Sequence, residues 1–555
     1  AANGDFTPMA GSPVIDAAYA AAWMAGDRDL AGNPRIHGAA PDMGAFEAAD
    51  ANAGALAVNF VGDTLTGHDS LAVTFTAFPS GSDTDGLIYV WDFNNDGTPD
   101  TVGPDKGEVT WVFPTGRFTV RLSVTNGTQE SAEAIKENYI FVSPSLIYVA
   151  ANGSGYPGTS WGDAFTNVQD ALNFAIGSNT IFLAGQTFDL DNELIWASLD
   201  NVQMIGGHQA LPETVGRGAH DMDRWPTTLR RTPSQSRVMS VSLSTRSRLA
   251  CVTVTGGYPP TSGLKSYGGG LNVFKSELDI TDCAFTNNQI YASGNGQSWG
   301  GGVYADGSTV TIRRSLFAHN RATSGGNVNN NRSMGGAVAT ENSTIHILES
   351  RFINNDAYAT GHYGSWGGAI YLNDGDNLIR NSLFVGNRAG ITRNNSEGGA
   401  IFLKAGTIIE SCTFVNNSCY GDQAVSYTYH GAGGVYNNGG FITNSLFWAN
   451  SNTYHNTVAD IGTNSQARIA WSRAAELTDG ENGNTDDDPL LVMTPAGRHP
   501  QYSLTDGSPC INAGIRLPWM EAATDLAGNK RVSGGGVDIG CYEKPAASAT
   551  ILMLR

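Results

Sequence analysis

Two patterns of apolar and polar positions divide the chain. Between residues 56 and 143, short segments alternate apolar and polar residues, as in LAVNFV, SLAVTFTAF, GLIYVWDF, EVTWVF, RFTVRLSV and NYIFVS. Successive side chains of a β-strand point to opposite faces, so each segment is typical of a half-buried strand. Six such strands at this spacing predict a β-sandwich over residues 52–144.

From about residue 265 onward, a repeat of two motifs replaces this alternation. A pair of glycines precedes an apolar residue, and a phenylalanine is followed three residues later by an asparagine. The glycine pairs begin at Gly269, Gly301, Gly335, Gly367, Gly398 and Gly433, and the asparagines are Asn288, Asn320, Asn355, Asn387, Asn417 and Asn450. Successive glycine pairs are 31–35 residues apart, which indicates a repeat architecture.

A parallel β-helix explains each repeated position. Its coils stack at about 4.8 Å, so a residue type that recurs once per coil forms a column along the axis. An isoleucine precedes each phenylalanine by five residues, and this odd offset implies a corner between two strands. The asparagines are predicted to form a hydrogen-bonded structural ladder, and the glycine pairs to allow a tight corner. We therefore assign no catalytic role to these motifs.

The repeats resemble the GGA-type and FxxN repeats of chlamydial polymorphic membrane proteins, which implies a β-helical adhesin. Residues 145–185, with an amphipathic run that includes Phe165 and Leu172, resemble the N-terminal cap of pectin-lyase-like β-helices. Both resemblances imply the same architecture. The expected fold class is all-β, with a right-handed parallel β-helix solenoid over residues 145–543 that follows the β-sandwich.

The sandwich segment has a resemblance and a candidate site of its own. YVWDFNNDGTPD and the later FTVRLSVTNG resemble the PKD family of immunoglobulin-like modules, which implies a spacer or adhesion unit. Asp92, Asn94, Asp96 and Asp100 match the first nine positions of an EF-hand calcium loop, but Gly103 stands where that loop has its bidentate Glu. Two interpretations stay open: a calcium site, or an Asx-rich turn that caps itself.

The two ends of the chain match each other. Residues 11–47 and 507–543 share GSP, a Trp-Met pair and DLAGN at a constant offset of 496, without a gap. The C-terminal copy resembles the terminal segment of bacterial β-helix proteins classed as choice-of-anchor Q. A piece of a longer array of alternating modules is expected. Residues 1–50 would then be the terminal cap of a preceding β-helix unit, and residues 544–555 the start of a next PKD-like unit.

The cysteines of the C-terminal copy suggest a disulfide. Cys510 and Cys541 occupy positions at which the N-terminal copy has Val14 and Ala45. Both cysteines are present in one copy and both are absent from the other, as a disulfide requires. A bridge between them implies an oxidising compartment. The alternative, two unrelated buried thiols, stays open.

Composition narrows the classes of partner. The 555 residues carry 32 Lys and Arg against 52 Asp and Glu, a formal net charge of −20. This balance argues against nucleic-acid binding, which needs basic patches. The 69 glycines and the charged fraction of 15% are far from the composition of helical bundles. No apolar run approaches the length of about 20 residues that a membrane helix needs, so no membrane span is expected.

The segments between each ladder asparagine and the next glycine pair vary in length, and we expect them to stack as one loop face. Aromatic rings beside Asn, Ser and Gly suit sugar stacking or a protein interface. The candidate ligand-binding residues are Tyr291, Trp299, Tyr358, His362, Tyr363, Trp366, Tyr427, Tyr429 and His430. Alternatively, the two tryptophans cover the glycine corner.

These patterns favour a secreted, non-catalytic protein of the bacterial cell surface. It would act as an adhesin or as a structural subunit whose copies link head to tail, with other copies, an extracellular glycan or a host surface as partners. The alternative is a β-helix protein that binds or cleaves polysaccharide. A lyase needs a positioned base and a hydrolase a pair of carboxylates, and the repeat body offers only scattered candidates. No catalytic residue is predicted, and calcium is the one candidate cofactor.

Overall fold

The computed structural model describes residues 8, 18, 22–24, 26–36, 41–48, 56–81, 84–214, 216–232, 236–261, 265–293, 296–325, 331–360, 364–391, 396–404, 406–420, 431–453, 456–463, 468–496, 499–533 and 535–545. Two compact units divide the chain, Ala1–Ser145 and Leu146–Arg555. Strands dominate both, which confirms the all-β prediction. The described helices are one short α-helix and three 3₁₀ turns: Val168–Phe174, Ala22–Met24, Glu481–Gly483 and Pro518–Met520.

The first unit contains a two-sheet β-sandwich. One sheet pairs Ala57–Gly62, Ser70–Ser80 and Glu108–Pro114 antiparallel, and the other has the spatial order Thr66–His68, Ser131–Ser143, Gly116–Thr125, Ile88–Asp92 and Thr101–Gly103. The inward side chains of both sheets form one core. Trp91 is fully buried there, stacked on Phe93 at 5.6 Å and edge-on to Phe60 at 5.1 Å.

The second unit is a parallel β-helix with three walls, which confirms the fold predicted from the repeat. The first wall contains Leu146–Val149, Thr180–Ala184, Gln203–His208, Ser247–Ala250, Glu277–Thr281, Thr309–Arg313, Thr344–Leu348, Leu378–Arg380, Ile408–Glu410, Phe441–Thr443 and Ile469–Ala470. The second wall contains Thr187–Leu190, Thr227–Arg231, Val252–Thr255, Ala284–Thr286, Leu316–Ala318, Arg351–Ile353, Leu383–Val385, Thr413–Val415 and Leu446–Trp448. The third wall contains Leu194–Ala197, Met239–Ser242, Leu271–Phe274, Val303–Asp306, Val338–Glu341, Ile370–Leu372, Ile401–Lys404, Val435–Asn438 and Ile461–Thr463.

Between the second and third walls, most coils leave the helix and form a lobe of two further sheets. The first lobe sheet contains Pro260–Thr261, Gln289–Ala292, Arg321–Ser324, Asp356–Ala359, Arg388–Ile391, Ser418–Cys419, Ser451–Asn452 and Thr457–Val458. The second contains Lys265–Tyr267, Gln297–Trp299, Arg332–Met334, Gly364–Trp366 and Ser396–Glu397. The variable segments are expected from the sequence to form a loop face, but their described residues are largely strands.

Columns of identical residues fill the coils, as the spacing predicts. The six repeat phenylalanines stack face to face, with ring centroids 4.5–5.0 Å apart and interplanar angles of 2–9°. The ladder asparagines are fully buried. Asn355 is typical: its Oδ1 accepts from the backbone N–H and the side chain of Asn320, and its Nδ2 donates to Phe317 O and Asn387 Oδ1. The last amide of the ladder, that of Asn450, donates to Asp460.

The glycine pairs lie at corners of the coils, where the backbone conformation and the available space both favour glycine. The first glycine of the repeat has a positive φ, 62° at Gly367, which favours glycine. The second has no space for a side chain, because a Cβ on Gly368 would lie 2.1 Å from Gly399 O. In this register Gly367 corresponds to Gly300, one residue before the pair start that the sequence suggested. Because residues 300–302 are all glycine, the sequence alone does not show which two of them form the pair at the corner.

The C-terminal segment, residues 507–544, folds back along the outside of the β-helix. It follows a hairpin of Leu491–Ala496 and His499–Leu504. Apolar residues of the segment and of the second wall share clusters, among them Leu526 with Val385 and Ile539 with Leu446. The outer face of the second wall is therefore covered at these coils.

Candidate interaction surfaces

A column of serines joins the two sheets of the lobe to each other. Ser298, Ser333 and Ser365 lie at one register position of the second lobe sheet and are fully buried. Each hydroxyl donates to a carbonyl of the first lobe sheet, as Ser333 does to Tyr358 O at 2.8 Å. This bonding orders segments whose lengths differ between coils.

The lobe tryptophans serve mainly in packing. Trp299 is 6% exposed and lies edge-on to Tyr304 at 6.0 Å and to Tyr371 at 5.4 Å. Trp366 is half-buried and lies edge-on to Phe402. Both side chains thus fill the space between the lobe and the outer face of the third wall. This placement leaves little of the Trp299 ring available to a ligand.

Two of the predicted tyrosines keep partly exposed rings on the first lobe sheet. Tyr291 is half-buried, and Tyr358 lies between the guanidinium groups of Arg321 and Arg388, at 5.2 and 5.8 Å from its ring centre. Both arginines pair with Asp356, at 3.2 and 3.0 Å. The remaining predicted residues of this face, His362, Tyr363, Tyr427, Tyr429 and His430, lie outside the described residues.

The candidate calcium loop satisfies its own polar atoms. Asp92 is buried and accepts from the backbone N–H groups of Asp96 and Gly97. Asn94 donates to Asp96, and Asp100 accepts from Phe93 N at 2.6 Å. These bonds describe the self-capped Asx turn of the second interpretation. Within the described part of the chain, no group of three or more His, Cys, Asp or Glu side chains is arranged to hold a metal ion.

The structure corrects the predicted disulfide, because all six cysteines are free and buried. Cys510 belongs to an apolar cluster with Leu504, whereas Cys541 belongs to a neighbouring one with Val415. Burial raises the pKa of each thiol to about 12. Both cysteines of the C-terminal copy thus serve in apolar packing against the β-helix. Without a disulfide between them, the inference of an oxidising compartment loses its support.

One cleft of about 360 Å³ lies against the outer face of the second wall. Its lining includes Asp223, Cys251, Asp282, Arg314 and Arg351. Arg314 forms a bidentate ion pair with Asp282, at 2.7 and 2.8 Å. The carboxylate of Asp282 is therefore already neutralised by the guanidinium of Arg314. Burial raises the pKa of the Cys251 thiol to about 11, which keeps it uncharged near neutral pH. The cleft therefore suits binding of a polar ligand better than acid–base chemistry.

The N-terminal copy of the duplicated segment has a compact network around one carboxylate. Asp29 accepts from the backbone N–H groups of Ala31, Asn33 and Glu47. Glu47 in turn pairs with Arg35 at 3.1 Å. Burial raises the pKa of Glu47, although its hydrogen bonds and Arg35 oppose the rise.

The C-terminal copy repeats this network at an offset of 496. Asp525 accepts from the backbone N–H groups of Ala527, Asn529 and Glu543, and Glu543 pairs with Arg531 at 3.0 Å. The backbone hydrogen bonds match as well, as in the pair of Leu30 N with Ala45 O at 3.1 Å and the equivalent pair of Leu526 N with Cys541 O at 3.0 Å. The two copies therefore have the same local fold in the residues that are described in both.

Burial distinguishes the copies. Leu526 is 9% exposed on the β-helix, whereas its counterpart Leu30 is 77% exposed. Ile539 is 1% exposed, whereas Met43 is 56% exposed. One segment thus occurs twice in the chain, once docked on the β-helix and once with the same apolar face open. Sequence reasoning found the duplication, but the docking face depends on three-dimensional contacts.

No protein family profile matches the chain, and no curated protein matches it. Among solved structures, the crystal structure of pectate lyase Pel9A matches with 14% sequence identity and a TM-score of 0.34, over 72% of this chain and 96% of that one. In the described residues, no helix has the length and apolar character needed to traverse a bilayer.

Proposed function

We propose that the chain is a non-catalytic protein of the bacterial cell surface that serves as a structural subunit of an extracellular assembly. In this proposal the sandwich of the first unit is a PKD-like spacer, and the β-helix is the stiff element. Copies of the chain are the main partners. An adhesive role towards a glycan or a host surface is compatible with the same architecture.

One observation carries the proposal: the residues that recur in every coil are used inside the fold. The phenylalanines stack on each other, the asparagines bond to each other, and both columns are fully buried. The repeated lobe residues Ser333 and Trp299 are likewise used in hydrogen bonding and packing. Repetition therefore supports regular, stiff stacking, which is what a structural element requires.

The test combines electron microscopy with an activity screen. We expect the purified chain to form ordered assemblies as its concentration rises, and to release no unsaturated or reducing ends from acidic and neutral polysaccharides. Release that persists in the wild type and is lost in Arg314→Ala would overturn the proposal in favour of an enzyme. Arg121→Ala is the matched control, since Arg121 pairs with Glu133 on an exposed strand of the first unit.

The cleft favours glycan binding as a second candidate function. It exposes the guanidinium of Arg314 beside the carboxylate of Asp282, and such groups bind sugar hydroxyls and carboxylates. Titration of the chain with oligogalacturonate, followed by calorimetry, tests this role. Heat of binding that Arg314→Ala removes and Arg121→Ala leaves unchanged would support it, and no heat in the wild type would reject it.

A further inference from the structure

We propose that residues 22–24, 26–36 and 41–48 form a docking segment whose receptor is the outer face of the β-helix in a second copy of this chain. The proposal deepens the structural role proposed above and rests on it. It states how copies join: the N-terminal segment of one chain takes the place that the C-terminal segment occupies on another. Two observations carry it, the identical local fold of the copies and the chemistry of the receptor face.

The receptor binds the C-terminal segment largely through the backbone. Asn381 Nδ2 donates to Thr524 O at 2.9 Å, and Arg351 Nη2 donates to Leu526 O at 2.8 Å. Thr413 Oγ1 accepts from Cys541 N at 2.9 Å. None of these three contacts involves a side chain of the C-terminal segment. The backbone of the N-terminal segment offers the same groups, on Arg28, Leu30 and Ala45.

Further backbone contacts surround the last ladder coils. Asn444 O accepts from Gly540 N at 2.8 Å, and Asn444 Nδ2 donates to Ile515 O at 2.7 Å. Gly540 corresponds to Gly44, which likewise has a positive φ, 133° against 112°. The acceptor Asn444 O is thus in place for the backbone N–H of either Gly540 or Gly44.

The residues that make the apolar contacts of the C-terminal segment also have apolar counterparts in the docking segment. Leu526 shares its cluster with Val385, and the equivalent residue is again leucine, Leu30. Ile539 packs in the cluster that contains Leu446, and its counterpart is Met43. Burial of a side chain of this size stabilises a contact by about 1.5–3 kcal/mol, so the two residues would contribute to docking about as much as Leu526 and Ile539 contribute to the contact they replace.

A third large residue extends this face. Trp519 lies over the guanidinium of Arg380, 4.5 Å from the ring centre, beside a cavity of about 280 Å³. Its counterpart Trp23 is 63% exposed. At the position of the buried Cys541, the N-terminal copy has the smaller Ala45, which needs no more space.

The geometry of the contact determines the kind of assembly. The docking segment and the receptor face are different surfaces of the chain, so the contact is heterologous and generates either a closed ring or an open line of copies. In each copy the receptor is already occupied by the C-terminal segment, which is tethered at an effective concentration of about millimolar. Exchange in the wild type is therefore expected to be slow and to need concentrations near this value, and release of the tethered segment should lower that concentration.

The experiment releases the tethered segment by substitution. Leu526→Asp with Ile539→Asp places charges on its docked face, and Leu30→Asp with Met43→Asp does the same to the docking segment. We expect the first variant to associate, in sedimentation velocity, at a concentration about 100-fold lower than the wild type. Adding the second pair of substitutions should return it to monomer. The second pair alone should leave the chain monomeric and folded.

Two results would overturn the proposal. The first variant could remain monomeric while its circular dichroism shows an intact β-helix, or the fourfold variant could associate as strongly as the first, which would mean that the uncovered face is merely sticky. If the aspartates unfold the chain, Leu526→Ala with Ile539→Ala provides the same comparison with a milder change.

A cysteine pair tests the contact in the otherwise unchanged chain. Leu30→Cys with Val385→Cys is expected to form an interchain disulfide on prolonged incubation under mild oxidation, because Leu526 and Val385 are neighbours in the docked segment. The matched control is Leu30→Cys with Val112→Cys, since Val112 is 60% exposed in the first unit. More bridging at Val112 than at Val385 would contradict the proposed contact. Polysaccharide cleavage would refute the structural role without affecting this result.

Discussion

The sandwich and the β-helix both bury aromatic rings, but they arrange them differently. In the sandwich, Phe60 and Trp91 meet edge-on at 75°, and each ring has neighbours of another type. In the β-helix, Phe352 and Phe384 lie parallel within 7° of each other at 4.8 Å. A sandwich core is thus a set of different contacts made once, whereas a β-helix core is one contact repeated along an axis.

This difference changes what a single substitution does. A β-helix coil receives its hydrogen bonds and its packing from the coils on both sides, so a fault in one coil disturbs two interfaces. In the sandwich, the turns between strands satisfy themselves, as at Asn126, which accepts from Thr128 N and Glu130 N. Equivalent substitutions in the two units should therefore have unequal effects.

The largest effect is expected for Gly368→Ala. A Cβ there would lie 2.1 Å from Gly399 O and 2.4 Å from the carbonyl carbon of Arg388, so backbone would have to move in two coils. We expect the free energy of unfolding of the second unit to fall by more than about 4 kcal/mol, the range of severe single substitutions. Chemical denaturation, followed by hydrogen exchange resolved by segment, measures this loss.

Gly127→Ala in the sandwich is the matched control. No atom lies within 4 Å of a Cβ at Gly127, and its φ is not positive. Its effect on the first unit should stay within about 0.5–1 kcal/mol in either direction. Equal losses in the two units would mean that repeated and single contacts respond alike to an added methyl group.

The next largest effect is expected for Asn355→Ala. The substitution removes the acceptor of Asn320 and the donor to Phe317 O and Asn387 Oδ1, all inside the coil. Each buried group left unpaired costs about 1–3 kcal/mol, so a total of at least about 3 kcal/mol is expected. Asn94→Ala in the sandwich should cost less than about 1 kcal/mol, because its partners are exposed to water. Urea denaturation of both variants provides the comparison.

Repetition also explains how much could be predicted from sequence. The columns that contain Phe352 and Asn355 could be predicted, because the spacing of a residue type that recurs in every coil shows which positions of successive coils stack on each other. The lobe strands could not be predicted, since Ser298 and Trp299 acquire their role from contacts with other coils. The disulfide prediction failed for a related reason: Cys510 and Cys541 vary together because both pack on the β-helix, and covariation does not distinguish a bond from a shared interface.

Among the candidate surfaces, sequence identified the duplicated segment but not its docked state. Leu30 and Leu526 stand in the same local sequence, and they differ in exposure only because one of them contacts the second wall. The cleft beside Arg314 was missed altogether, since its lining residues come from separate coils and carry no common motif.

The smallest effect expected concerns pH, and it has opposite signs in the two units. Burial raises the pKa of Glu397, in the second lobe sheet, to about 7, and burial lowers the pKa of Lys136, in the sandwich, to about 8. The folded state of the second unit binds more protons than the unfolded state between about pH 4.5 and 7, so its stability falls as the pH rises. For Lys136 the unfolded state binds more protons between about pH 8 and 10.5, so the stability of the first unit rises with pH.

Two isosteric variants separate these contributions from all other titrating groups. Glu397→Gln should flatten the decline in stability of the second unit between about pH 5 and 7 and leave the first unit unchanged. Lys136→Met should remove the gain of the first unit above about pH 8 without an effect on the second. Segment-resolved hydrogen exchange across this pH range measures both slopes. If the stability of both units changed alike in Glu397→Gln, the two cores would unfold together. The sandwich and the β-helix would then form one cooperative unit, and a substitution in either would destabilise both.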